Sequence, residues 1–268
     1  MLAAVWYTFA GTAPLGAQRA DSVRMAQPPA PANWHLQVST FHSSADNGFG
    51  IWQGQDARLL YSGKRLSPFV NVATQRRPNG RQESYGAGAY VVLTPWAYSI
   101  VGVGLAPTTD AVLFPRLRSD ASLFVAVPGV KGVVVSTGFT DLRFDDAQAG
   151  GRIVSLGSMV YRGKGIYSGA VFFNRDRASG APSRSWQLGG QWGAQGQYWL
   201  GGSLGIGNEA YRLISATPFD ARFENRFVSA FASKWFTART GATLRLDFER
   251  KVSVFDRRAA QLMYFVDF

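Results

Sequence analysis

The sequence predicts an all-β transmembrane protein: an antiparallel up-and-down β-barrel of about 14 strands, with 12 as the alternative count and both termini periplasmic. Three observations predict it. The chain closes on an alternating segment with one wholly apolar face, Leu262, Tyr264, Val266 and Phe268. Alternating runs of about ten residues, the length a tilted strand needs to cross a bilayer, recur from Trp34 onward. The connections between them alternate between short and long, as in barrels with short periplasmic turns and longer outer loops.

Taken in order, residues 1–20 form an apolar stretch of small residues and read as an export signal, although no Lys or Arg precedes it. Residues 21–32 include Ala26-Gln27-Pro28-Pro29-Ala30-Pro31-Ala32, a stiff Pro-rich linker. Residues 33–268 are the barrel. Its strands are expected at 33–43, 55–62, 67–76, 83–93, 97–105, 117–127, 131–141, 151–161, 165–175, 183–193, 196–206, 222–234, 239–249 and 257–268. Short turns are expected at Gly63 to Leu66, Thr94 to Trp96, around Gly129, at Arg162 to Lys164, at Gln195 and from Trp235 to Ala238. Longer loops are expected at 44–54, 106–116, 142–150, 176–182 and 207–221.

Within the strands the two faces differ, because side chains alternate with period 2. Leu244, Leu246 and Phe248 alternate with Thr243, Arg245, Asp247 and Glu249; Trp186, Leu188 and Trp192 alternate with Gln187, Gly189 and Gln191. One set suits lipid and the other a wet interior. Aromatics near strand ends, Trp34, Trp52, Trp96, Tyr198, Trp235 and Tyr264, fit interfacial girdles.

The final strand resembles the C-terminal assembly signal of Gram-negative outer-membrane barrels, with Tyr264, Val266 and Phe268 as its determinants and Met263 where a Gly is usual. The resemblance implies a location in the Gram-negative outer membrane and recognition by the barrel assembly machinery. Closure is expected to pair 257–268 with 33–43.

Composition excludes several functions. There are no cysteines and only two histidines, so disulfides, thiolate metal sites and histidine clusters are ruled out, and no metal or cofactor is expected. Mean hydropathy is −0.06, and no apolar run past the N-terminus is long enough for a transmembrane helix. The net charge of +11 comes from Lys and Arg spread along the chain without a long run, which argues against nucleic acid. Arginines facing anionic lipopolysaccharide, or lining the lumen, explain the excess.

His35 and His42 are the candidates for catalysis, since outer-membrane hydrolases pair Ser with His. His42 and Ser43 point to opposite faces, and only His42 and Ser44 share one. Polar residues at a strand border explain both histidines better, so no catalytic residue is assigned. A lumen network is the stronger candidate. Arg245, Asp247 and Glu249 are expected beside Arg222, Glu224 and Arg226, where opposite charges on adjacent strands reduce the cost of charge in a narrow interior. Either a structural filling or a selectivity network follows from that set.

Leu113-Phe114-Pro115-Arg116-Leu117-Arg118, then Ala121 to Phe124 and Ser136 to Phe144, resemble the YaiO-type outer-membrane β-barrel family. Phe114, Pro115, Arg116 and Arg118 carry the match to its loop motif. The resemblance implies a barrel in the outer membrane, with a structural, transport or exopolysaccharide-export role rather than an enzymatic one. Some relatives end long periplasmic export arms. Here only a short stretch separates signal from barrel, so an export role is expected to need a separate partner protein.

Overall fold

The computed structural model describes residues 33–107, 113–145, 150–210 and 222–268; the side chains of 208–210 and 222–224 lie outside this description. The export signal and linker expected at 1–32 also fall outside it. Fourteen antiparallel strands close into one barrel: β1 (Trp34–Ala45), β2 (Gly50–Tyr61), β3 (Leu66–Arg77), β4 (Gly80–Thr94), β5 (Ala97–Leu105), β6 (Leu117–Ala126), β7 (Val133–Arg143), β8 (Gly150–Arg162), β9 (Gly165–Asp176), β10 (Pro182–Ala194), β11 (Tyr198–Ala210), β12 (Arg222–Trp235), β13 (Thr240–Lys251) and β14 (Phe255–Asp267). Each pairs with its sequence neighbours, so the contacts are local except where β1 meets β14.

That seam runs the length of both strands, with Leu36 opposite Val266, Val38 opposite Tyr264 and His42 opposite Ala260. Backbone bonds between Trp34 and Phe268, 3.0 and 2.9 Å, finish it at one end. Within hydrocarbon an unpaired backbone group costs several kcal/mol, so a sheet in lipid must close. Proline placement obeys the same constraint. Pro68 is opposite Ala89 of β4, but the β2–β3 pairing stops at Phe69, so its missing N–H leaves no partner waiting on the other side.

Alternation sorts the residues cleanly. Leu262, Tyr264 and Phe268 are exposed outward, whereas Gln261 and Phe265 are buried toward the axis. Trp186 and Leu188 are likewise exposed outward, while Gln187 and Gly189 turn inward. Trp34, Trp96 and Tyr264 are exposed near the end bearing the termini, as a girdle requires. Two of the expected girdle residues are not there. Trp52 is buried in the interior against Phe255, and Trp235 packs edge-on against the inward ring of Phe265.

The connections depart from the expected segregation, most clearly between β1 and β2. No long loop spans 44–54: β1 and β2 run on to a turn at 46–49, where Asn47 and Gly48 take positive φ of 53° and 83°. Thr40, His42, Ser44, Gln53 and Gln55 face outward and interrupt the apolar alternation, which is why the segment reads as loop. The turn at 78–79 is equally short, so only the 106–116 and 211–221 connections are markedly long at that end.

Adjacent residues of β11 test the sidedness. Leu204 is 52% exposed on the outer face midway along its strand, and Ser203 points inward. Leu204→Arg should cost about 2–4 kcal/mol of stability in lipid vesicles. Ser203→Arg should cost clearly less, and urea unfolding of the two variants gives the comparison.

Candidate functional site: the lumen

The interior has two unlike walls. Along β7 to β11 the inward positions are mostly small: Ser136, Gly138, Ser155, Gly157, Ser168, Gly189 and Ser203, with Gln187 and Gln191 among them. Ser168 points inward opposite Gly189 and is nevertheless solvent-exposed, so water reaches the middle of this wall. The other wall carries aromatic rings. Phe41, Phe69, Phe227, Phe231 and Phe265 stand directly across from Gly54, Gly88, Gly205, Gly201 and Gly241 on the adjacent strand. A Cβ at any of these glycines would collide with the facing ring. The rings therefore lie along the wall instead of projecting to the axis, a device that also pins register.

Charges occupy further inward positions in matched sets. Among the described residues, Arg58, Arg77, Arg118, Arg245, Lys251 and Arg257 share the interior with Asp56, Asp120, Asp176, Asp247, Glu249 and Asp267. Arg245 Nε donates to Asp247 at 2.7 Å. Arg118 binds Asp120 through two hydrogen bonds, 2.5 and 2.8 Å, and Thr140 adds a third at 2.7 Å. Glu249 accepts from Arg257 at 2.7–2.8 Å and from Asn225 at 3.2 Å. The Arg77 guanidinium lies 3.9 Å over the Trp52 ring. Asp56 accepts from Ser39, which accepts from Gln261 Nε2 at 2.7 Å. Deeper, Arg58 stacks 4.1 Å over Phe69 and donates to Tyr90. Toward the terminal end, His35 Nδ1 is 2.7 Å from Asp267.

Of the expected network, Arg245, Asp247 and Glu249 all point into the lumen. Arg226 does not. It is exposed outward beside Val228, because β12 turns Asn225, Phe227, Ser229 and Phe231 inward. An alternating aromatic set reads as lipid-facing, and here the opposing glycines make it the inward one. The side chains of Arg222 and Glu224 lie outside the described residues. Sequence reasoning missed the partners of Glu249, since Arg257 and Asn225 come from different strands and no local spacing links them.

The loop-motif residues divide. Gln82 Oε1, buried on the inward face of β4, accepts from the backbone N–H groups of Leu113 and Phe114 at 2.7 and 2.6 Å. Leu113 is fully buried, so this segment turns over the mouth of the lumen. Pro115 is half-buried, Arg116 is exposed and 3.6 Å from Asp145, and Arg118 is the lumen arginine already described. His42 and Ser44 are exposed on the outer face, and His42 Nδ1 meets Gln53 at 3.1 Å. No described acidic group joins them. Tyr264 and Phe268 are exposed outward, with Val266 half-buried between them.

Glu249 and Arg257 form the most deeply buried ion pair of the network. Removing one partner of a buried pair strands the other, at a cost of roughly 3–5 kcal/mol. Glu249→Ala should lower unfolding stability in detergent by about that amount, whereas Asp256→Ala, which removes an exposed pair with Arg250, should cost under about 1 kcal/mol.

The fold has clear counterparts. A bacterial polysaccharide outer-membrane secretin aligns with a TM-score of 0.62 at 9% identity, covering 89% of this chain and 99% of that one. Pseudomonas aeruginosa OccK7 (OpdD) aligns at 0.51 and 10% identity over 89% and 99%. Acinetobacter baumannii outer membrane protein Omp33 aligns at 0.50 and 10% identity over 89% and 100%. At these identities the likeness is one of fold. No curated protein matches the sequence. Residues 33–212 match the family model for the YaiO membrane beta barrel domain. That match takes in β1 to β11, and with the closed fourteen-stranded wall it establishes that the chain belongs to the YaiO family of outer-membrane β-barrels.

Proposed function

We propose that the protein is a non-enzymatic conduit of the outer membrane that serves envelope export, with a polysaccharide as the cargo class and a separate partner supplying the periplasmic part of the route. The observation that carries this reading is the inward wall of Ser and Gly with Ser168 exposed at its middle. Small hydroxyl-bearing and amide-bearing side chains, including Gln187 and Gln191, suit a hydrated polyol that must slide without sticking. Matched lumen charges fit the same role, because paired ions present little net field to a neutral chain. Fourteen strands fall between the small barrels whose side chains fill them and the larger ones that hold an aqueous channel. The barrel's likeness to a polysaccharide secretin supports the cargo class. An enzymatic role has less support: among the described residues no acidic group joins His42 and Ser44, and His42 Nδ1 meets Gln53 instead.

Planar-bilayer recording tests the conduit. Steady conductance is expected from the purified barrel. The chain has no cysteine, so Ser168→Cys introduces a unique thiol, and a bulky thiol reagent should then reduce conductance well below the unmodified level. Absence of conductance, or conductance indifferent to the reagent, would leave a plugged structural barrel. Loss of surface polysaccharide in cells lacking the protein, restored by wild type but not by Ser168→Trp, would support the cargo class; unchanged polysaccharide would remove it.

The outward aromatic end of β14 is proposed to be read during assembly. Deleting Phe268 removes one exposed aromatic, worth a few kcal/mol at most by burial in lipid. Outer-membrane levels should fall much further than this loss explains, while refolding in vitro changes little. Normal cellular levels would show that Phe268 is not read.

A further inference from the structure

The outer face carries a cationic cluster that neither the lumen nor closure uses. At the long-loop end of β7 to β10, Asp141 lies at the centre of three arginines. Arg143 Nε and Arg177 Nη2 donate to its two oxygens at 2.7 Å each, and Arg152 Nε approaches to 3.5 Å. Asp141 belongs to the outward set of β7 and is buried by these neighbours, with no lumen contact. Arg152 stands directly opposite Arg175 across the β8–β9 pair, and both are exposed. Like charges in that position repel, and an anion between them would relieve the repulsion. Arg184 of β10 extends the cluster, its guanidinium 5.5 Å over the outward ring of Phe173. The buried Nε of Arg177 has no hydrogen-bond partner. Asp141 thus stands among five guanidinium side chains, three of them within 3.5 Å of its oxygens.

Position decides what kind of anion fits. One outward step further along the same strands, about 7 Å toward the bilayer centre, come Phe139, Val154, Phe173 and Trp186, all exposed. A ligand that fills both levels has phosphate above and acyl chain below. In a barrel with periplasmic termini the long-loop end lies in the outer leaflet. Guanidinium forks match phosphate oxygens two at a time, and near low-dielectric hydrocarbon that attraction is weakly screened.

We propose that Arg143, Arg152, Arg175, Arg177 and Arg184, arranged around Asp141, form a site for the phosphates of a phosphorylated glucosamine lipid of the outer leaflet. Its acyl chains lie along Phe139, Val154, Phe173 and Trp186. The site rests on the orientation of the barrel and not on its cargo.

The barrel in phosphatidylcholine nanodiscs, titrated with diphosphorylated lipid A and read by native mass spectrometry, tests this. Wild type should bind saturably. Arg152→Gln with Arg175→Gln should weaken binding at least tenfold, and the two Lys replacements should fall between, because they keep charge but lose the fork. Arg162→Gln, an outward arginine at the opposite end, should bind as wild type. Lipid A stripped of both phosphates should not bind, and millimolar inorganic phosphate should not compete. Equal affinity in the double Gln variant, an equal loss with Arg162→Gln, or full competition by inorganic phosphate would each overturn the proposal. Heat-modifiable gel mobility of every variant verifies that the barrel is folded, so a loss of binding reports the site.

Discussion

Everything in this molecule follows from the need to pair backbone N–H and C=O groups where no water is available. A fourteen-stranded sheet satisfies that need only by joining its first strand to its last, and β1 and β14 do so from His35–Asp267 to Ala45–Arg257. Closure then dictates which residues are tolerated where. Pro68 sits past the end of one pairing, and the irregularity of β4 falls between Val92 and Thr94, at the strand's end beside a turn. It also makes every other interaction local, since each remaining strand finds its partners next to it in sequence.

A closed wall has two faces with opposite demands, and the chain meets them with different chemistry. Outward positions are mostly aliphatic at mid-height, with the polar outer faces of β1 and β2 as the exception. Inward positions combine glycines roofed by phenylalanine rings with charges held in pairs. The pairing matters because a narrow interior walled by hydrocarbon screens poorly, and an isolated charge there would cost several kcal/mol. Glu249 illustrates the solution, with Arg257 and Asn225 both donating to it. Where the phenylalanines lie flat on glycine, the same wall gains apolar packing without losing bore.

Much of the fold was legible in the sequence, and the failures share a cause. All fourteen strands were placed, and apart from the start of β2 their ends fall within a few residues, because alternation and turn residues are local signals. The β1–β2 turn was misjudged, since outward Thr40, His42, Gln53 and Gln55 mimic a loop. Alternation alone puts Trp52 and Trp235 in the girdle and Arg226 in the lumen, because an aromatic residue fits either face and only its cross-strand neighbour decides which. The same holds for the candidate site. Arg245, Asp247 and Glu249 are evident from one strand, but Ser168 and the partners of Glu249 become visible only once the cross-strand register is known.

The distribution of positive charge has a consequence for what a basic isoelectric point means here. Were the proposed conduit open, a pI near 10.2 would by itself suggest preference for anions. In this barrel the lumen cations are offset by lumen carboxylates, while Arg76, Arg143, Arg152, Arg175, Arg184, Arg226, Arg250 and Arg258 project from the outside of the wall. Those outer charges are separated from the lumen by the thickness of the sheet, and a solute crossing the proposed conduit would not meet them. Ion discrimination would therefore be shallow despite the chain's charge, and passage would be governed by girth and by hydrogen-bonding capacity.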